Sequence, residues 1–596
     1  MLRRIVVNVI FIILLVLLFK AFFGADKPIL IDSDTALVIM PSGHIVEQYS
    51  GDPLDRALGQ AMDREEPESR LRDILQAIKK AKSDDRITRL VLNPEYIWSV
   101  GLASLQEFGA AVEDFKSSGK PVVAVVENMS QHQYYFASFA DEIWMHPGGF
   151  LWLDGYARYR GFYKEALDKL AVEVNLFRVG EYKSAMEPFI RSDMSAEAAE
   201  ANRFWLNSLW QQYLEGVARN RGLPVEMLAA AIEDYAGQVS EAEGDFSQLA
   251  LNLSLVDKLI SRPESRAALA QAGAPSSNGA SFRQLDYRQY VSMRRPTRLS
   301  GKAGKVAVIV AEGNIVLGNE PPGVISADQT ALLIRSAAQD ENVKTIVLRV
   351  NSPGGNAFAS EIIRRELQNV RDMGKPVIIS MGDVAASGGY WISMAANEVW
   401  SNPATITGSI GIFGMIPTFP QTLARLGIHT DGVGTTPLSG AVRLDRSLGE
   451  EARQIFQASV ENGYREFLQH VAVARNMSID EVDAIARGRV WSGSQALERG
   501  LIDQAGGLQD AIVSAARHAG MGDDYRVEYI EERLSSFEHF LLNLTAPVLV
   551  RFSSGSTTTS RILSNSLVQR VLSDLEVISR ADEGFTTYAH CLCSIH

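Results

Sequence analysis

Met381-Gly-Asp-Val-Ala-Ala-Ser-Gly-Gly-Tyr390 is the stretch whose reading decides the fold. The apolar run Pro376 to Ser380 precedes it and reads as a buried strand. Tyr390, Trp391, Ile392, Met394, Ala395 and Ala396 follow and read as the start of a buried helix. Ser387 therefore stands where a strand turns into a helix, beside two glycines that permit a tight bend. There the hydroxyl is either a helix cap or a nucleophile, because the N–H groups that follow face any approaching acceptor.

Working outward, the chain repeats itself. Ala36-Leu-Val-Ile-Met matches Val306-Ala-Val-Ile-Val, and Asp84-Asp-Arg-Ile matches Asp340-Glu-Asn-Val. Gly119-Lys-Pro-Val matches Gly374-Lys-Pro-Val, and Asp141-Glu-Ile-Trp matches Asn397-Glu-Val-Trp. Ala218-Arg-Asn matches Ala474-Arg-Asn, and Leu255-Val-Asp matches Leu501-Ile-Asp. So many pairs in register mark an internal duplication. Each copy alternates β-branched runs with helical stretches such as Leu71–Lys82 and Glu361–Asp372, which predicts α/β crossover units around a parallel sheet.

The expected organisation is an anchor over 1–26, a first repeat over 27–275, a linker over 276–300, a second repeat over 301–525 and a tail over 526–596. Ser276 to Pro296 reads as the join. The tail after Arg526 has no counterpart in the first copy, and its apolar run Phe537 to Phe552 is expected to pack on the body.

Ile5 to Gly24 is almost wholly apolar behind Arg3 and Arg4. Twenty helical residues cross a hydrocarbon layer of ~30 Å, and paired arginines hold the amino terminus in the cytoplasm with the body outside. An uncleaved anchor is the expectation. A cleaved signal peptide is the rival, and Phe22 and Phe23 stand where it would need small residues.

A net charge of −13 argues against nucleic acid as a partner. Cys591 and Cys593 are the only cysteines, so neither a disulfide framework nor a thiolate metal site is implied. No cofactor and no metal are called for.

The copies differ where chemistry would sit. Ser352-Pro-Gly-Gly follows the strand-like Thr345 to Val350, whereas the first copy has Pro94-Glu-Tyr there. Ser387, Gly388 and Gly389 fall opposite Gln131, His132 and Gln133. In the reverse exchange, Lys183 lies opposite Ser439, in a polar turn beyond the strand-like Val172 to Val179. One copy keeps a serine in an anion-stabilising bend and the other keeps a lysine. They read as halves of one site.

Ser352-Pro-Gly-Gly, Met381-Gly-Asp-Val-Ala-Ala-Ser-Gly-Gly-Tyr, Thr407-Gly-Ser-Ile-Gly and Gly180-Glu-Tyr-Lys-Ser together resemble the long, duplicated (protease IV) form of the signal peptide peptidase A family. The resemblance runs from the anchor to about Arg526. It implies a tandem Clp protease/crotonase-like fold and a homo-oligomer, a tetramer, bound to the inner membrane. It also implies a periplasmic Ser–Lys peptidase that degrades spent signal peptides and other small or unfolded peptides. By motif, Ser387 is the nucleophile, Lys183 the general base, and Ser409 the hydroxyl that holds the lysine. The oxyanion hole falls on the N–H groups of Gly388 and Gly354, with Gly355 the alternative to Gly354.

A lysine serves as base only when neutral, and lowering its value from ~10.4 to near 7 disfavours the ammonium by roughly 4 kcal/mol. Burial can supply this, so Lys183 is expected to be desolvated between the copies. His132 is a poor rival, since its own copy has no matching serine. Two other functions fit parts of the pattern: a crotonase-like acyl-thioester enzyme using the same glycine-framed hole, and a membrane scaffold with no activity.

Overall fold

The computed structural model describes residues 31–52, 56, 67–293, 304–532 and 587–593. The expected anchor Ile5–Gly24 and the run Phe537–Phe552 lie outside the described residues. Among the described residues no helix is long and apolar enough to cross a membrane.

Each half is built on a parallel sheet. In the first, the order is Gln284–Asp286, Thr35–Ile39, Ile87–Leu92, Val122–Met129, Glu142–Leu151 and Lys258–Leu259. In the second, Tyr525–Tyr529, Gly304–Glu312, Val343–Ser352 and Val377–Ala386 follow the same succession. The last of these pairs onward with both Glu398–Ser401 and Ile406–Gly408.

Strand periodicity explains the layers, because successive side chains leave on opposite faces. Val306 and Val308, with Val347 and Ile378, pack on one face against helix Leu508–His518. Ala307, Ile309, Ile346, Leu348 and Ile379 point the other way, into a core shared with helices Ala327–Gln339 and Ala357–Asp372. Both faces are covered, as a parallel sheet requires.

Two expectations need revision. The supposed join contributes Gln284–Asp286, paired in parallel with Thr35–Ile39, and helix Tyr287–Ser292. It is therefore the edge of the first half. Its counterpart is Tyr525–Tyr529, paired with Gly304–Glu312, so the stretch just past Arg526 does have a partner in the first copy. Short polar strands carry too little alternation to be seen by pattern.

The halves are joined in two ways. A buried polar seam places Arg349, fully inaccessible, 2.5 Å from Glu47 and 2.7 Å from Glu107, both of the first half. Asp383 accepts from the N–H and hydroxyl of Ser104 at 2.8 and 2.6 Å. Then a third sheet crosses between halves: Glu173–Arg178 of the first half pairs antiparallel with Phe413–Thr418 of the second over six residues. The same sheet contains Gly354–Asn356 and a strand from the tail, Tyr588–His590. Cys591 and Cys593, just beyond, are both buried.

Candidate active site

Strand Val377–Ala386 runs six residues further than its apolar core suggested and stops at Ser387, after which helix Gly388–Ser393 begins. Ser387 has φ 57°, a left-handed conformation that costs a non-glycine residue ~1–3 kcal/mol. Its N–H donates to Gly408 O at 2.8 Å, and its carbonyl accepts from Trp391 N–H at 2.8 Å. The two glycines are needed for space. A Cβ on Gly388 would stand 2.7 Å from Ser360 Oγ, and one on Gly389 2.7 Å from Ser352 O.

Lys183 arrives from the other half. The cross-half pairing of Glu173–Arg178 delivers the turn Gly180–Ser184, and Tyr182 N–H fastens it to Arg487 O at 3.0 Å. Gly488 makes room, since a Cβ there would lie 2.4 Å from Lys183 N. Gly488 also has φ 85°, which side-chain-bearing residues rarely adopt.

Lys183 Nζ lies 2.7 Å from Ser387 Oγ, 2.9 Å from Ser409 O and 3.0 Å from Ser409 Oγ. Lys183 is 2% exposed and Ser387 wholly buried. Burial alone holds the amine well below its ordinary value, because removing an ammonium from water favours the neutral form. Such an amine can take the hydroxyl proton, and the hydroxyl can then attack.

All five residues singled out from the sequence lie in this one neighbourhood. Ser387, Lys183 and Ser409 are in hydrogen-bonding contact. A Cβ on Gly354 would lie 2.6 Å from Gly388 N, so the two candidate oxyanion glycines adjoin. Gly354 N–H, however, donates to Ser352 Oγ at 3.1 Å, and that hydroxyl in turn donates to Gly313 O. Gly355 is the member of the pair in register with Ala589 of the tail strand. His132 stays in the first half, near Ser130 Oγ and Ile97 O, with burial lowering its proton affinity.

Sequence reasoning missed the tail. His590 is buried beside this site, its proton affinity pushed down to about 4 by burial and by the nearby Lys183. It also missed Gly488, for which a repeat alignment offers no signal, since its role depends on a turn from the other half.

Comparison with known proteins agrees with the duplicated reading. The family model described as Peptidase family S49 matches residues 114–272 and again 369–522. The chain is 42% identical to Protease 4 of Salmonella typhi over 518 residues, covering 86% of this chain and 83% of that one. It is 34% identical to Protease 4 of Haemophilus influenzae, covering 99% and 97%. The chloroplastic serine protease SPPA of Arabidopsis thaliana is 30% identical, over 76% of this chain and 66% of its own.

Proposed function

The chain belongs to peptidase family S49 and is a serine peptidase, and from that premise we propose that it cleaves peptides through a Ser387–Lys183 dyad assembled across its two halves. The observation that carries this reading is the 2.7 Å approach of a wholly buried amine to the hydroxyl of a strained serine.

Neutral Lys183 takes the Ser387 proton as Oγ attacks the scissile carbonyl. The tetrahedral oxyanion is held by Gly388 N–H and an N–H of the Gly354–Gly355 pair; one such donor typically contributes ~10²–10³ in rate. Lys183, now charged, gives its proton to the departing amine, leaving an acyl ester on Ser387. Water attacks that ester with Lys183 again as base, releasing the acid and restoring the hydroxyl. Ser409 contributes hydroxyl and carbonyl as the lysine's fixed partners, which keep Nζ aimed at Oγ without a carboxylate that would restore its charge.

The substrates are proposed to be spent signal peptides and other small or unfolded chains. The body faces the periplasm on an inner-membrane anchor at Ile5–Gly24. That apolar span and the paired arginines before it support the location.

The assembly is proposed to be a homo-oligomer, a tetramer by family resemblance. Repetition supports self-association: helix Leu102–Lys116 docks on the second half through Ser104 and Glu107, while its repeat, helix Ala357–Asp372, leaves Phe358 64% exposed. The receiving face also has a repeat, a cleft lined by Glu95, Glu127 and Arg262. A second copy's helix would satisfy both.

The test is hydrolysis of an unfolded protein or fluorogenic peptide, together with acylation of Ser387 by a fluorophosphonate. Wild type should do both. Ser387→Ala should do neither, and unimpaired cleavage by that variant would end the reading. The acyl-thioester and scaffold alternatives give way to the family membership.

A further inference from the structure

Residues 587–593 return from the far end of the sequence to lie against the edge that carries the site's glycines. Cys591 N–H donates to Pro353 O at 2.7 Å and Ala357 N–H to Thr587 O at 3.0 Å. Between them Gly354 faces His590, Gly355 faces Ala589 and Asn356 faces Tyr588, in antiparallel register. The alternation of an antiparallel ladder makes Gly355 and Ala589 a doubly bonded pair, whereas the main chains of the flanking pairs Gly354–His590 and Asn356–Tyr588 are not bonded to each other. The Ala589 carbonyl oxygen would be 2.1 Å from a Cβ on Gly354 and 2.9 Å from one on Gly388. A main-chain carbonyl of the tail thus sits between the two glycines nearest the serine.

The other side of the strand is equally well fitted. Tyr588 stacks on Phe413 with ring centroids 5.7 Å apart, Ala589 is wholly buried, and Arg158 donates to Leu592 O.

The fold itself does not require this strand. In the first half the equivalent small sheet is Glu68–Arg70, Gly43–Val46 and Ile97–Ser99, and among the described residues it ends at Ile97–Ser99 with no fourth strand. The added strand belongs only to the half with the serine.

We propose that the edge Pro353–Ala357 is the groove for an extended peptide, and that the chain's own tail, Thr587–Cys593, is its resident competitor, with Ala589 at the position a substrate's scissile residue would take. The proposal rests on the peptidase reading and deepens it. Recognition is through main-chain bonds, as when a strand is added to a sheet edge, so sequence demands on most substrate positions are light. The exception is the position of Ala589, which is wholly buried in the core of the second half, so that only a small side chain fits there. A substrate must first displace the tail, so its apparent affinity falls by the fraction of time the groove is open.

The experiment compares the full chain with one ending at Thr586, using a fluorogenic peptide with alanine before the scissile bond and a fluorophosphonate as the acylating probe. Removing 587–596 should raise kcat/KM by about tenfold or more, the effect of a groove open a tenth of the time or less. A synthetic Thr587–Cys593 peptide should then inhibit the shortened protein competitively. Should the shortened protein fail to fold, Ala589→Arg in the full chain serves instead, since an arginine cannot seat at the wholly buried position of Ala589 and kcat/KM should again rise. Normal acylation and hydrolysis with no gain in either variant, and no competition by the peptide, would overturn the proposal while leaving the dyad intact. Absence of Ser387 acylation in every form would overturn the dyad and this inference together.

Discussion

Lys183 Nζ and Ser387 Oγ stand 2.7 Å apart although 204 residues separate them in sequence and they belong to different copies of a duplicated fold. The contact depends on the antiparallel pairing of Glu173–Arg178 with Phe413–Thr418, which ties one copy to the other next to the site. Replacing the amine while keeping its bulk isolates its chemistry. Lys183→Met is expected to lower kcat by ~10²–10⁴, the usual share of a general base, with KM little changed. Lys183→Arg should be no better, because a guanidinium stays charged. Steady-state hydrolysis of a fluorogenic peptide checks both.

The pH dependence follows from the sign of the lysine's shift. Burial lowers the Lys183 value, and the base works only when unprotonated, so activity should be present above that depressed value and fall as pH drops through it. His590, already neutral above about 4, should not add a second step near neutrality. A profile of kcat/KM against pH with a single acid limb is expected, and His590→Gln should leave the number of limbs unchanged.

Gly488 offers a test of positioning. Gly488→Ala combines φ 85° with a Cβ 2.4 Å from Lys183 N, so the lysine turn must shift. A 1 Å displacement of a catalytic group can cost ~10² in rate. The expected result is a fall of that order in kcat together with a lower thermal midpoint, since both the positive φ and the backbone clash strain the folded chain.

The polar seam should matter for stability. Arg349→Ala leaves Glu47 and Glu107 buried without their cation, and breaking such a network typically costs ~3–5 kcal/mol. Thermal unfolding should show a lower midpoint.

Glu312, in the same seam beside Glu47, is pushed up to about 8, chiefly by burial. Below its ordinary value of 4.5 it is protonated whether folded or not. Between that value and about 8 only the unfolded chain ionises, so its contribution to stability declines as pH rises through this window. Glu312→Gln should flatten that part of the stability–pH curve.

How much of this was legible beforehand depends on how local each signal is. The elbow at Ser387 could be read because strand, bend and helix are adjacent in sequence. Lys183 could be found because duplication supplies an internal alignment, and the site's chemistry survives as a difference between copies. The edge strands Gln284–Asp286 and Tyr525–Tyr529 escaped notice, being short and mostly polar, and so the join was misread. The role of Tyr588–His590 could not be seen at all. A three-residue strand is specified by the edge it meets, and that edge lies more than two hundred residues away in sequence.

The central claim is that Lys183 is neutral in the folded protein at physiological pH. NMR titration of ¹³Cε-labelled lysine, with the Lys183 resonance assigned by its loss in Lys183→Met, measures this directly. The account predicts an amine already unprotonated near pH 7, far below the ~10.4 of a solvated lysine. A Lys183 resonance still that of an ammonium above about pH 9 would contradict it.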